Sequence, residues 1–309
     1  VYTSGQWTGD LNAFTIDASG DLSTTPAWTA ASKVPVPNSR VIKTWNGTSY
    51  TDFTYSGVNT TALRNALRND PSDSPQNIIN YLRGDRSMEN NNSGFRVRGG
   101  VLGDIIDSQP VYVGAPNARL YVGRSFNGAS SYASWANSLN RTPVVYVGAN
   151  DGMLHGFNAT TGQTASGVET YAYVPKKVIE NGIGELASPD YQHRYFVDGE
   201  LTVADAYNGS SWRTVLVGTL GFGGVAKDRS TTANAIFALD VTDPANVTFL
   251  WEKSSTDIPA LGINQGRPVI AQIANGDWSV LLGNGANSSD GKAALISINV
   301  FTGAERVTT

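Results

Sequence analysis

Val144–Gly162 reads VVYVGANDGMLHGFNATTG: an apolar run, a turn at Gly148–Gly152, a second run with Leu154 and Phe157 alternating, and a closing Thr-Gly. Short β-branched and aromatic runs separated by a Gly/Asn/Asp cluster are the signature of a β-hairpin. The same grammar returns at Trp212–Gly224, WRTVLVGTLGFGG, which after a polar excursion continues as Asn234–Pro244, NAIFALDVTDP. It returns again at Trp278–Gly303, WSVLLGNGANSSDGKAALISINVFTG. A weaker copy opens the chain, where Trp7, Leu11, Phe14 and Ile16 alternate around Gly9 and Asp10 and end at Asp17–Gly20.

Such a unit cannot bury both of its faces alone, so copies must stack on one another. Packing them around a common axis gives an all-β propeller, with four or five blade-like sheets expected. The repeats are spaced by about 65 residues, more than the usual blade of ~40–50, so further strands or loops lie between them. Three segments are candidates: His193–Val203 as a hairpin around Asp198 and Gly199, Gly266–Ile273 (GRPVIAQI) as a strand, and Gln109–Gly114 (QPVYVG) as another.

One segment departs from the β pattern. Thr60–Asn69 places Ala62, Leu63, Ala66 and Leu67 at helical spacing, and Ser74 and Pro75 then supply an N-cap and a first helical residue for Ile78, Ile79 and Leu82. Gly84 is a natural helix stop. Helical periodicity appears only here, so a helical insertion at about 60–84 is predicted, packed on a face or edge of the propeller that spans 1–309.

Composition fits an exported β protein. Of 309 residues, 16% are charged and 33 are Gly, so the surface is uncharged polar and the backbone turns often. The net charge of −4, with 22 Lys and Arg scattered along the chain, provides no phosphate-binding footprint, and nucleic acid is not expected as a partner. There is no Cys, hence no disulfide framework and no thiolate chemistry. No stretch approaches the ~20 apolar residues that span a bilayer, and Val1 is not preceded by a signal-peptide pattern, so the chain reads as a mature or excised fragment.

Catalytic constellations are thin. Two His, His155 and His193, have no partner at helical spacing for a zinc site and are expected in strands. Gly221–Ala226 echoes a dinucleotide-binding loop without the helix that should follow, and Gly285–Ala293 is one residue too long for a P-loop and ends in Ala. Both are read as turns. Asp104, Asp107, Asp151, Asp198, Asp205 and Asp240 cannot be paired from the sequence, which leaves a glycosidase unsupported.

Taken in order, Tyr81–Ser87 (YLRGDRS), Leu102–Gly114 (LGDIIDSQPVYVG), Val144–Gly162, His193–Gly199 (HRYFVDG), Trp212–Gly224, Phe237–Pro244 (FALDVTDP), Gly266–Ile270 and Gly283–Leu295 resemble the C-terminal propeller of the PilY1 family. These are tip-associated adhesins and assembly factors of bacterial type IV pili. The resemblance implies a modified, quinoprotein-like propeller of about seven blades, of which this chain would be an incomplete part. It also implies a bacterial surface or pilus-tip location, contact with minor pilins, roles in assembly, retraction control, twitching and attachment, and no enzymatic activity. The family's calcium loop would lie beyond Thr309, so no calcium or other cofactor is expected within Val1–Thr309. The Val144–Gly162 unit resembles quinoprotein dehydrogenase blades too, an alternative that would be an enzyme. Those enzymes follow the Thr-Gly turn with a docking Trp, which neither Gly162 nor Gly303 has.

Arg83, Gly84 and Asp85 form the triplet that integrins recognise, and the resemblance implies a possible host receptor. The same three residues also read as a helix end: a cation in the last turn, a left-handed Gly and an exit residue.

Overall fold

Each hairpin turn sends the chain back beside itself and leaves two sheet faces to be covered. In the computed structural model, which describes residues 2–3, 6–90 and 94–309, the chain opens with β1 (Tyr2–Thr3), β2 (Thr8–Gly9), β3 (Asn12–Ala13), β4 (Trp28–Thr29), β5 (Ile42–Trp45) and β6 (Tyr50–Asp52). Helices α1 (Thr61–Ala66) and α2 (Pro75–Leu82) follow. Next come β7 (Val111–Val113), α3 (Ala129–Ser138), β8 (Val144–Ala149), β9 (Met153–Asn158), β10 (Glu169–Val174) and α4 (Lys176–Glu180). The chain continues through β11 (Leu201–Tyr207), β12 (Trp212–Thr219), β13 (Ala235–Asp240) and β14 (Thr248–Ser254), and ends with β15 (Val269–Gln272), β16 (Trp278–Gly283), β17 (Leu295–Asn299) and β18 (Glu305–Thr308).

Three sheets carry the fold, ordered β6-β5-β10-β9-β8-β7, β11-β12-β13-β14 and β15-β16-β17-β18, beside the small ladders β1-β2 and β3-β4. The strand β11 touches both β7 and β15 across the sheet boundaries. The first strand of each meander therefore lies innermost, and the sheets radiate as three blades from a shared axis, part of a propeller ring. Blade 1 is widened on its outer side, where β5 pairs in parallel with β10 and antiparallel with β6.

The apolar runs follow from this stacking. Blade 2 is covered on both faces: Leu216, Phe237 and Leu239 join the core shared with blade 1. Val215, Val217, Ile236 and Ala238 meet Val280, Leu282, Ile296 and Ile298 of blade 3. A strand buried on both sides reads as a continuous apolar run rather than an alternation, which is why Val215–Val217 carries no polar residue. Both predicted helices form, and Leu63, Leu67, Ile78, Ile79 and Leu82 enter the blade 1 core.

Five expectations need correction. Three blades form among the described residues where four or five blade-like sheets are expected, because the strands that open the chain make only two-stranded ladders. Helix is not confined to the insertion: α3 and α4 are two further helices. The segment of α3, ASSYASWANS, begins at a left-handed Gly128 without a side-chain cap and buries only Ala129, Tyr132 and Ala136, too faint a stripe to be read as periodicity. No hairpin forms around Asp198 and Gly199. The Asp198 N–H bonds to Leu220 O (3.2 Å), while β11 begins at Leu201 and turns back into β12 at Asn208–Ser211. His155 lies in β9, but His193 lies outside any strand. At the opening of the chain, Phe14 and Ile16 do not face a core: they are 43% and 67% exposed, and β3 pairs with β4, where the buried ring is Trp28.

Candidate functional site at the end of helix α2

The triplet sits at the end of α2, and the local sequence accounts for all three residues. The Ser74 hydroxyl accepts from Asn77 N (3.4 Å) and Pro75 occupies the first helical position. The helix ends at Gly84, whose φ is +110°. The Gly84 N–H donates to Tyr81 O (2.8 Å) and the Asp85 N–H to Asn80 O (2.9 Å), the paired bonds of a Schellman end. A Cβ on Gly84 would stand 3.1 Å from Val101 Cγ1.

Neither flanking side chain is free. The Arg83 guanidinium donates to three carbonyls, Phe53 O (3.1 Å), Pro37 O (2.9 Å) and Arg40 O (3.2 Å). Its burial, followed by the positive charge of Arg40, holds its pKa below the ordinary value. Asp85 Oδ1 accepts from Ser87 N (2.8 Å), and bonding to Ser87 holds this carboxyl below the usual range.

Beneath the triplet runs a buried string of charges. Arg40 donates through Nη1 to Arg83 O (3.0 Å) and forks through Nε and Nη2 onto Glu169 at 2.6 and 2.7 Å. Glu169 Oε1 lies 2.7 Å from His155 Nδ1, and His155 Nε2 lies 3.0 and 3.1 Å from the two oxygens of Asp151. Asp151 also accepts from Gly103 N (2.9 Å). Burial alone would push the His155 imidazole down, but the carboxylates of Asp151 and Glu169 outweigh it and hold its pKa at about 9. Burial likewise opposes ionisation of Glu169, and Arg40 and His155 outweigh that to hold it at about 2. The string is thus alternately charged at neutral pH.

A histidine between two carboxylates looks like an acid–base relay. A relay needs a nucleophile or a substrate to act on, and the cavity beside Asp151 measures about 20 Å³, room for one water. The donors and acceptors of the string saturate one another. Its geometry fastens the segment before β5 and the end of α2 to blade 1. Sequence reading named Arg83 and missed this anchor, because Arg40 and Glu169 are 129 positions apart and nothing local pairs them.

The other carboxylates have structural partners or share a cleft. Asp104 bonds His193 Nε2 (2.8 Å) and Asn150 Nδ2 (2.9 Å), and Asp205 bonds Tyr132 Oη (2.7 Å) and Thr214 Oγ1 (2.6 Å). Asp240 accepts from Thr242 N (2.9 Å). Asp107 and Asp198 line a polar cleft of about 270 Å³ with Glu200 at the start of the inner strands, where burial pushes the Asp198 carboxyl up to about 7. Among the described residues no three His, Asp or Glu side chains gather as a metal-binding group, and no helix is long and apolar enough to cross a membrane.

The order of the blades, with inner strands β7, β11 and β15, coincides with a family match: residues 102–309 fit the model of the PilY1 beta-propeller domain. The chain belongs to the PilY1 family. Over 306 residues it is 50% identical to a type IV pilus biogenesis factor PilY1 homolog of Xylella fastidiosa strain Temecula1, covering 98% of this chain and 23% of that protein. It is 38% identical over 314 residues to the type IV pilus biogenesis factor PilY1 of Pseudomonas aeruginosa strain PAK, covering 96% and 26%. A crystal structure of the Pseudomonas aeruginosa PilY1 C-terminal domain is similar at 42% identity, with a TM-score of 0.45, over 58% of this chain and 32% of that one. The chain spans about a quarter of the length of the curated relatives it matches. Of the two likenesses carried by the Val144–Gly162 hairpin, the match takes the pilus family.

Proposed function

We propose that this chain is the propeller portion of a type IV pilus biogenesis factor, acting as a non-enzymatic scaffold and binding module at the bacterial surface or pilus tip. The observation that carries this reading is the 50% identity, over nearly the whole chain, to a relative named for pilus biogenesis. The saturated charge string supports it, because it anchors a surface helix instead of offering a reactive group. In this reading the partners are minor pilins, and the protein contributes to pilus assembly, control of retraction, twitching and attachment. Calcium belongs to the loop the family resemblance places beyond Thr309 and not to residues 1–309.

Attachment does not run through the triplet in its present form. The Arg83 guanidinium is occupied by three carbonyls and Gly84 is buried, which supports the helix-end reading of Arg83, Gly84 and Asp85 over a receptor-binding loop. Deleting the whole gene tests the pilus reading: surface pili and twitching should be lost and return on complementation. Unchanged piliation, twitching and attachment in the deletion strain would refute it.

A further inference from the structure

The turns that close blades 2 and 3 on the side away from the Asp198 cleft leave a groove between them. One part, about 340 Å³, lies between the β11–β12 turn and the β15–β16 and β17–β18 turns; a second, about 590 Å³, is lined by β13–β14 turn residues and meets the first at Asn208 and Phe301. Both volumes are of the size that holds small molecules. We infer that this groove between blades 2 and 3 is a binding site for an uncharged oligosaccharide.

The lining chemistry carries the inference. Four carboxamides, Asn127, Asn208, Asn275 and Asn299, edge the smaller part. The oxygen of Asn208 is held by Ser210 N (3.0 Å) and Ser211 N (2.8 Å), and that of Asn299 by Phe301 N (3.0 Å) and Thr302 N (3.0 Å). Each of these two side chains is therefore fixed, and its NH₂ has no acceptor among the described residues. Donors held in place before binding lose little freedom when a hydroxyl arrives. Asp277, whose Oδ2 takes a bond from Asn275 Nδ2 (2.8 Å), adds acceptors on the same wall.

Rings complete the set. Half-buried Tyr207 and Phe301 line the groove, and Trp278 lies at its base, 6% exposed. A sugar ring offers both halves of what this lining lacks: an apolar C–H face for the aromatic surface and hydroxyls for the fixed amides. Charge narrows the class. In the larger part Arg213 is paired with Asp240 (3.7 Å) while Asp243 has no ion-pair partner among the described residues, and Asp277 adds another carboxylate in the smaller. An anionic sugar would be repelled.

The site does not depend on the pilus reading, and its test is a direct binding measurement. The full-length protein is examined by saturation-transfer NMR with cellotetraose, maltotetraose, lacto-N-tetraose and sialyllactose at millimolar concentration. At least one neutral sugar should take up saturation and sialyllactose should not. Phe301→Ala removes the ring at the junction and should weaken binding by about tenfold. Because Phe301 also touches the core, Asn127→Trp serves as the second variant: Asn127 makes no side-chain hydrogen bond among the described residues, and the added bulk should fill the smaller part of the groove and weaken binding similarly with the melting temperature and piliation unchanged. Transfer to no neutral sugar, equal transfer to sialyllactose, or wild-type binding by folded Asn127→Trp would each overturn the site.

Discussion

The interface between blades 2 and 3 and the interface that joins the non-repeating segments to blade 1 are built from different materials. Between blades 2 and 3 the contact is apolar and aromatic: Trp212 stacks on Tyr121 (ring centroids 5.1 Å apart, 20° between planes) and meets Tyr132 edge-on at 4.7 Å, with Trp278 at 5.8 Å. Around blade 1 much of the work of joining segments falls to buried arginines that bind carbonyls and carboxylates. Arg40 forks onto Glu169, Arg98 reaches Tyr81 O (2.8 Å), Asp85 O (2.9 Å) and Glu89 (2.8 Å), and Arg194 reaches Asn181 O and Val225 O at 2.9 Å. Repeating hairpins present complementary faces, so hydrophobic burial suffices to stack them. The segments 30–52 and 61–101 are not repeats and present loops and helix ends, whose exposed backbone groups need donors.

That contrast predicts two large effects of similar size and different character. Glu169→Ala leaves Arg40 buried without its counter-charge and His155 with Asp151 alone, and should cost about 3–5 kcal/mol. Trp212→Ala opens a cavity at the other interface and should also cost about 3–5 kcal/mol. Denaturant unfolding measures both. The two separate with pH. The His155 pKa is raised to about 9, so its contribution is full below its ordinary pKa near 6.5 and is lost as pH rises toward 9. The Glu169 pKa is lowered to about 2, so its contribution is full above about 4.5 and is lost as pH falls toward 2. The deficit of Glu169→Ala should therefore be largest between about pH 4.5 and 6.5 and shrink on either side, while that of Trp212→Ala stays flat. A flat profile for Glu169→Ala would mean that the string is not charged as described.

The same contrast decides what could be read from the sequence. Blades 2 and 3 were legible because Trp212–Thr219, Ala235–Asp240 and Trp278–Gly283 carry their instructions locally, in runs and turns. The helix ends were legible for the same reason, through Ser74, Pro75 and Gly84. The turn at Asn208–Ser211 was misplaced to Asp198–Gly199 because Asp-Gly is a strong hairpin signal, and only the close approach of Thr219 to Gly199, 2.1 Å from a Cβ built there, shows that this glycine is needed for packing. Helix α3 is held by what it touches: Tyr132 bonds Asp205, and Ser131 Oγ lies 3.2 Å from Trp212 Nε1. Partners 73 and 81 positions away leave no local trace. The charge string and the groove between blades are long-range in the same sense.

A smaller effect is expected at the helix end itself. Gly84→Ala places a side chain at φ +110° and within 3.1 Å of Val101, and left-handed backbone of this kind costs an L-residue about 1–2 kcal/mol. The loss should be independent of pH, since no titrating group is removed. Proteolysis between α2 and β7 would report the same change as faster cleavage. Wild-type stability for Gly84→Ala would show that the Schellman end contributes little to holding α2.

The smallest effect is also the one that separates anchor from receptor site. In Asp85→Glu the two backbone bonds of the residue survive: its N–H still reaches Asn80 O and its carbonyl still accepts from Arg98 Nη2. What is lost is the fit of the carboxylate to Ser87 N (2.8 Å), a single half-exposed bond worth about 0.5 kcal/mol. Stability should therefore fall by no more than that. Attachment of bacteria to host cells should not change, because a receptor that reads the triplet needs the Arg83 guanidinium as well as the Asp85 carboxylate, and the guanidinium is committed to Phe53, Pro37 and Arg40. A receptor could use the triplet only after breaking those three bonds of the half-buried guanidinium. Host-cell attachment and thermal melting are measured side by side on the same variant. Lost attachment with unchanged melting would overturn the anchor reading and would require that Arg83 leave its three carbonyls when the receptor binds.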